Sequence, residues 1–180
     1  MRKNLIDHLS QYADYHRDPR NIRTHFVGVP MIMLAVTVLL SRPAWTVGGL
    51  PLSLALLAAL ASCLFYFRLD TRYGATMALV LAAMLAVGHW LAGQATALWL
   101  GAGVGLFVVG WVIQFVGHYY EGRKPAFVDD LVGLLIGPLF VAAELGFALG
   151  LREEVRQAVE ARSGPVRLRH EISAPSVARV

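Results

Sequence analysis

Residues 110–125 read GWVIQFVGHYYEGRKP and lie at the end of a long apolar segment. Its polar side chains include Gln114, His118 and Glu121, at positions i, i+4 and i+7. On an α-helix these positions share one face, so an amide, an imidazole and a carboxylate form one narrow stripe. Polar groups at the edge of a hydrocarbon layer are costly, and the stripe therefore indicates a functional site.

The composition is that of a membrane protein. The chain of 180 residues is 57% hydrophobic and 16% charged, and its mean hydropathy of +0.56 exceeds what the core of a soluble domain requires. Runs of roughly 20 apolar residues are needed to span a bilayer. The candidate runs are residues 26–40, 47–67, 75–91, 95–117 and 131–149. We predict an all-α membrane bundle in which the first four runs are spans.

The basic residues predict how this bundle is oriented. Lys and Arg in the segments on one side of the first four spans outnumber those on the other side by nine to one. The positive-inside rule therefore places the N-terminus and the second and fourth connections in the cytoplasm. The fifth run contains Gly137-Pro138 and Glu144 and is followed by a basic tail. We expect a re-entrant or broken helix there; a full fifth span is the alternative.

The N-terminal segment is predicted to be an amphipathic helix over residues 2–17. Leu5, Leu9, Tyr12 and His16 recur with the period of one helix face. Pro19 ends this helix, and Asn21 is a plausible N-cap for the next one.

The predicted domain organisation is a membrane-embedded catalytic domain, residues 1–153, followed by a charged, mobile cytoplasmic tail, residues 154–180.

Charge and cysteine content exclude two classes of function. The net charge of +4 comes from basic residues beside the spans, without the stripe expected for nucleic-acid binding. The single cysteine, Cys63, leaves no disulfide framework and no thiolate metal site. A metal ion, if bound, must be held by imidazoles and carboxylates.

Several candidate ligands are expected to converge on the cytoplasmic side. Four membrane passages separate the start of the first span from the end of the fourth, so both ends lie on one side. The residues placed there are His16, His25, His118 and Glu121, with Asp129, Asp130 and Glu144 within reach. Imidazoles with a carboxylate and no thiolate suit a non-haem Fe(II) or a similar divalent ion. His89 lies at the opposite end of its span, and His170 lies in the charged tail, where we expect it to be solvated.

Other interpretations of these residues remain open. Each histidine alone is compatible with a hydrogen-bonded helix end, and Glu121 with pairing to Arg123 or Lys124. A small transporter, channel or membrane scaffold would use the polar cluster as an ion path, and a b-type haem protein would use two of the imidazoles. Di-iron hydroxylases are disfavoured because none of the six histidines stand three or four residues apart.

Four segments together resemble the 2-hydroxy fatty acid dioxygenase family. They are residues 12–30 (YADYHRDPRNIRTHFVGVP), 110–118 (GWVIQFVGH), 121–127 (EGRKPAF) and 136–140 (IGPLF). The resemblance covers about residues 4–150, and the middle spans match only in hydrophobicity. It implies an Fe(II)-dependent enzyme of fatty acid α-oxidation that uses O2 to shorten a 2-hydroxy fatty acid by one carbon.

The resemblance also assigns candidate residues. His16, His25 and His118 are the implied metal ligands, Asn21 and Glu121 are candidate catalytic residues, and Asp130 and Glu144 are possible additional ligands. We expect the substrate to chelate iron through its carboxylate and 2-hydroxyl oxygens, with its alkyl chain between apolar helices. Arg123 and Lys124 are expected to attract the carboxylate. The membrane would be a bacterial inner membrane or the endoplasmic reticulum, with the site facing the cytoplasm and membrane lipid as a partner.

Overall fold

The computed structural model describes residues 3–42, 44–48 and 50–168. The α-helices within these ranges are α1 Leu5–Ala13, α2 Pro19–Ser41, α3 Leu54–Leu69, α4 Thr71–Ala92, α5 Thr96–Glu121, α6 Gly133–Ala148 and α7 Glu153–Ser163. Strands β1 Ala44–Val47 and β2 Leu50–Ser53 form an antiparallel hairpin between α2 and α3, and a 3-10 turn covers Ala126–Val128.

The predicted all-α architecture is confirmed, and it includes helices long and apolar enough to cross a membrane, while the number of spans stays a prediction. Helices α2, α4 and α5 have 23, 22 and 26 residues and are apolar enough to cross a membrane. Helix α3 is apolar but has 16 residues, which is about 24 Å of helix. Helices α6 and α7 meet at an angle of 115° and count as one further candidate only if taken as a broken span. Length and composition thus give three spans, or up to four.

The outward surface of the long helices is apolar. Leu79 is 74% exposed, Val112 57% and Phe115 56%. A contiguous apolar surface of this kind is expected to contact lipid.

Two predicted helix boundaries near the N-terminus are wrong. Helix α1 ends at Ala13 rather than at residue 17, so His16 lies in the following turn. Helix α2 begins at Pro19, and Asp18 rather than Asn21 is its N-cap, with its carboxylate accepting from the Arg20 N–H at 2.9 Å. Proline is favoured at the first helical position because its missing N–H would have no helical partner there.

The hairpin was not predicted. Residue 47 was expected to begin the second span, but Val47 ends β1 instead, Leu50–Ser53 pair with that strand, and Gly48 has a φ of 58°. A left-handed backbone at Gly48 costs little because glycine has no Cβ. The apolar character of this segment therefore did not distinguish strand from helix.

Helices α2 and α5 approach closely at glycines spaced seven residues apart. A Cβ at Gly110 would lie 2.8 Å from Ile32 Cγ1, and one at Gly117 would lie 2.5 Å from Asn21 Oδ1. Gly103 meets Leu39 in the same way. The lack of side chains on this α5 stripe lets the two backbones meet and aligns the start of α2 with the end of α5.

The end of the bundle formed by Pro19 of α2 and Glu121 of α5 is here called the histidine end. The most buried part of the core lies there, where Leu9 of α1, Phe140 of α6 and Val159 of α7 are at most 2% exposed. Helix α7 contains residues that we expected in a mobile tail, and it packs instead on α1 because Val155 and Val159 form an apolar face. The boundary between residues 153 and 154 stays a prediction, and His170 lies outside the described residues.

The chain after α6 returns to the turn between α3 and α4. Arg152 donates to both carboxylate oxygens of Asp70, at 3.0 and 2.9 Å. Asp70 also caps α4 by accepting from the N–H groups of Arg72 and Tyr73. This double contact lowers the pKa of the Asp70 carboxyl, chiefly through the hydrogen bond from Arg152.

Candidate metal centre

The structure brings His16, His25 and His118 together from three different segments. His16 lies in the turn after α1, His25 in the second turn of α2, and His118 in the last turn of α5. Their ring centroids are 4.5 to 5.2 Å apart, and one nitrogen from each ring lies within 4.8 Å of the others. All three rings are buried. Among the described residues, no other set of His, Cys, Asp or Glu side chains has this geometry.

Backbone carbonyls fix which nitrogen of His16 and His25 carries a hydrogen. Nδ1 of His16 lies 2.7 Å from the Tyr12 carbonyl oxygen, and Nδ1 of His25 lies 2.9 Å from the Asn21 carbonyl oxygen. A carbonyl oxygen only accepts, so each Nδ1 must be the donor. In a neutral imidazole the other nitrogen, Nε2, then presents a lone pair. Metal-binding histidines are commonly oriented in this way.

The two Nε2 atoms face each other across 3.0 Å. Two lone pairs at this distance repel each other unless a cation lies between or beside them. Burial, followed by the charge of neighbouring His25, holds the pKa of the His16 imidazole well below its usual value, which disfavours a bridging proton. Two nitrogen ligands bound at about 2.1 Å and at right angles on one ion are also about 3.0 Å apart. The residues present therefore fit a divalent metal ion.

His118 is the third imidazole of the group. Its ring is 7% exposed, and within the described part of the chain its Nδ1 has no hydrogen-bond partner. A buried polar atom without a partner costs free energy, and a ligand or a metal ion would satisfy it. The donor set is thus three imidazoles, which suits Fe, Zn or similar ions and leaves coordination positions open.

Glu121 joins the end of α5 to the turn that carries His16. Its two carboxylate oxygens accept from the backbone N–H groups of Arg17 at 3.0 Å and Asp18 at 2.9 Å, and from the side-chain amide of Asn21 at 3.0 Å. Both oxygens are therefore occupied within the protein. This arrangement holds the turn against the end of α5. The catalytic roles predicted for Glu121 and Asn21 stay predictions.

The other predicted site residues lie outside the group of three histidines. Glu144 pairs with Arg17 at 3.2 Å, and Asp130 lies 3.6 Å from Lys3. Lys124 pairs with Asp129 at 2.6 Å, while Arg123 donates to the Asp14 carbonyl at 2.7 Å. Their proposed roles as ligands or carboxylate-binding groups stay predictions. His89 is exposed in the last turn of α4, at the opposite end from Asp70.

An apolar cavity of about 410 Å³ begins at the metal centre. His25, His118 and Gln114 line it at the histidine end, and it extends between the helices to Leu40 of α2 and Ala55 of α3. From His25 to Leu40, α2 covers about 22 Å at 1.5 Å per residue. The volume lies in the range of small-ligand sites, about 300–1,000 Å³.

The sequence did not single out Tyr12 as part of the site. Its ring stacks on His16 with a centroid distance of 4.1 Å and an interplanar angle of 1°, and its carbonyl fixes the His16 tautomer. The spacing of Tyr12 and His16, four residues, is the signal that was available. Gln114 was recognised in the polar stripe but was not assigned to the site.

Fold and site together define a helical protein with several long apolar helices, a buried group of three histidines that could hold a metal ion, and an apolar cavity beside it. The chain belongs to the Mpo1-like family, described as 2-hydroxy-palmitic acid dioxygenase Mpo1-like, whose model matches residues 2–149. It is 32% identical over 166 residues to the 2-hydroxy-palmitic acid dioxygenase MPO1 of Saccharomyces cerevisiae, covering 89% of this chain and 91% of the yeast protein. No solved structure matches this chain. Membership confirms the resemblance seen in the sequence and supports an enzyme that acts on 2-hydroxy fatty acids.

Proposed function

We propose that this protein is an Fe(II)-dependent dioxygenase that shortens 2-hydroxy fatty acids by one carbon, the reaction of fatty acid α-oxidation. The observation that carries the proposal is the continuity of the three-histidine group with the apolar cavity, since His25 and His118 belong to both. A polar head group at the histidines and an alkyl chain in the cavity match the two parts of such a substrate. The yeast relative, named for 2-hydroxy-palmitic acid, supports the same substrate class.

His16, His25 and His118 would hold the iron. When bound, the ion would supply a site at which the substrate's oxygens and O2 meet, and three protein ligands would leave room for both. Tyr12 and Asn21 orient two of the imidazoles through their carbonyls. Glu121 fixes the turn of His16 against α5.

The cavity would bind the alkyl chain and keep water from the reacting carbon. Its polar lining residues Thr37 and Ser62 donate to carbonyls of their own helices, at 2.8 Å in both cases. Their hydroxyl hydrogens are therefore bound within their own helices, and these residues present no free donor to the chain. Burial of an alkyl chain against this surface is favourable by about 0.8 kcal/mol per CH2 group.

The site would open toward the cytoplasm. The nine-to-one distribution of basic residues supports this orientation of the histidine end. Asp70 lies in the turn between α3 and α4, at the end of α3 that contacts α1 through Phe65 and His8. The Arg152–Asp70 contact therefore joins the chain after α6 to the histidine end, which supports a re-entrant α6. Four spans, α2 to α5, with α6 and α7 at the histidine end would then account for the chain. Either a bacterial inner membrane or the endoplasmic reticulum would suit this arrangement.

A transporter or scaffold is less well supported than the enzyme. An ion path needs polar groups through the whole bilayer, whereas the polar residues converge at the histidine end and the cavity beyond Gln114 is lined by apolar or self-satisfied groups. Family membership also favours the enzyme.

The test is a reconstituted reaction with purified full-length protein, Fe(II), O2 and 2-hydroxypalmitic acid. Mass spectrometry should detect a product one carbon shorter, and elemental analysis should find iron near one per chain. Removal of iron by a chelator should stop the reaction, and added Fe(II) should restore it. A protein that purifies folded without metal and yields no shortened product would contradict the proposal.

A further inference from the structure

Gln114 is a buried polar residue to which the proposed reaction gives no role. It is 4% exposed, and its amide nitrogen has no hydrogen-bond partner within the described ranges. It lines the cavity together with His118, which follows it by one helical turn on the same face of α5. An amide donor in this position is costly unless a bound molecule supplies an acceptor.

The Gln114 amide nitrogen is enclosed between α2 and α5 beside the cavity that Gln114 lines, so a bound molecule would meet it after rotation of the side-chain amide. The amide packs over Gly28 of α2, where a Cβ would lie 2.6 Å from its Nε2 atom. Glycine at position 28 thus gives the amide its place between the two helices. Thr37 and Ser62 differ from Gln114 because their hydroxyls are occupied by their own helix backbones.

The position of Gln114 along α5 indicates which part of a substrate it would meet. It lies about 6 Å along the helix axis from His118, toward the apolar end of the cavity. An acid whose carboxylate is at the histidines places its second carbon on this side. The alkyl chain has no acceptor, so the 2-hydroxyl oxygen is the polar atom available to Gln114.

We propose that the Gln114 side-chain amide donates a hydrogen bond to the 2-hydroxyl oxygen of the bound fatty acid and selects hydroxylated acids over unsubstituted ones. This inference rests on the proposed function. A site built to hydrogen-bond a hydroxyl rejects an analogue that lacks it, since its own buried donor is then left without a partner. Gln114 is thus a specificity-determining residue.

The experiment compares equilibrium binding of tritiated 2-hydroxypalmitic acid and palmitic acid to the iron-loaded full-length protein, by scintillation proximity. The wild type should prefer the hydroxy acid by at least about tenfold, and Gln114→Met should lose most of that preference while still binding palmitic acid. Gln157→Met, the same substitution at an exposed position on α7 away from the cavity, should leave the preference unchanged. If Gln114→Met does not fold, Gln114→Ala also removes the amide without overpacking the site, and should lower the preference in the same way.

The possible failures are distinguishable. An unchanged preference in folded, iron-containing Gln114→Met protein would overturn the role of Gln114 and leave the proposed function standing. Equal binding of both acids by the wild type would overturn the selection as well. If the wild type bound neither acid, the proposed function would fail together with this inference.

Discussion

At the residue scale, the metal centre depends on two backbone carbonyls as much as on the imidazoles. Tyr12 and Asn21 each lie four residues before the histidine that they orient, and each accepts its Nδ1 hydrogen. The two Nε2 atoms, which carry the lone pairs, are consequently held 3.0 Å apart. The repulsion between the two nitrogens is already present in the protein without a metal ion, and a bound cation would relieve it. This preorganisation lowers the free-energy cost of binding a cation.

Replacing any one of the three histidines by alanine should abolish iron binding and chain shortening. Three protein ligands leave little redundancy, so the loss of one imidazole removes a third of the donor set. Iron per chain and the one-carbon-shorter product are the measurements. The matched control is His89→Ala, at an exposed position in the last turn of α4, which should retain both. Wild-type iron content and turnover in folded His118→Ala protein would contradict the assignment.

Glu121→Gln should weaken iron binding without abolishing it. Glutamine replaces one acceptor oxygen by an NH2 group that would face an N–H donor of Arg17, Asp18 or Asn21. Each lost hydrogen bond to a charged acceptor costs about 1.5–3 kcal/mol, and disturbing groups that orient ligands typically lowers metal affinity by about 10–100-fold. Thermal melting and an iron titration measure the two effects. Complete loss of iron, as in the histidine variants, would instead make Glu121 a ligand.

At the scale of elements, the α2–α5 pair positions the site. Two of the three histidines are at the ends of these helices, and their relative height depends on the glycine contacts between them. The most consequential contact is at Gly117, directly before His118, where Thr24 and Asn21 of α2 leave no room for a side chain.

Gly117→Ala should therefore destabilise the protein and lower its iron content. Its Cβ would collide with Thr24 Oγ1 and with Asn21 Oδ1, and overpacking of this kind costs about 1–3 kcal/mol. Gly105→Ala on the same helix has open space around its Cβ and should gain up to about 1 kcal/mol in helix propensity. Melting temperatures of the two variants are the measurement. Equal stability would mean that the helices separate easily at position 117.

The proposed re-entrant arrangement of α6 gives a topology prediction. A reporter fused to the C-terminus, and a cysteine at position 72 in a Cys63→Ser background, should both report the cytoplasmic side, because Arg152 ties the chain after α6 to Asp70. In intact cells an impermeant thiol reagent should not label Arg72→Cys. An external reporter with a cytoplasmic position 72 would show that α6 crosses the membrane.

The sequence predicted the convergence of the histidines because alternation of spans and the distribution of basic residues depend only on the order of segments. It did not predict the end of α1 at Ala13 or the N-cap at Asp18, since these depend on His16 stacking on Tyr12 and on Glu121 binding the turn. The hairpin at residues 44–53 was also missed, because apolar residues in a short run suit a strand as well as a helix.

At the scale of the whole molecule, the two ends of the bundle have different architectures. At the histidine end, α1, α6 and α7 form a packed layer with α2 and the ends of α3 and α4, including Leu9, Phe140 and Val159. Between the long helices, small residues of α3 such as Ala55 and Ala59 leave space that the cavity occupies. Close packing is therefore concentrated around the three histidines proposed as metal ligands, and open volume lies where an alkyl chain would bind.

Cavity length should determine which acids the enzyme accepts. Carbon–carbon bonds of about 1.5 Å advance an extended chain by about 1.3 Å per carbon, so the roughly 22 Å between His25 and Leu40 accommodate about 17 carbons. Ala59 is 7% exposed and lines the cavity between Ala55 and Tyr66. Ala59→Phe should fill the distal part, so that turnover of long-chain 2-hydroxy acids falls sharply while that of chains of about ten carbons is retained. The control is Leu60→Phe, since Leu60 is 57% exposed on the outer face of the same helix and its replacement should leave the chain-length profile unchanged. Product yields across a series of chain lengths give the comparison. An equal loss at every length in Ala59→Phe would show that the length of the cavity does not determine which chain lengths are accepted.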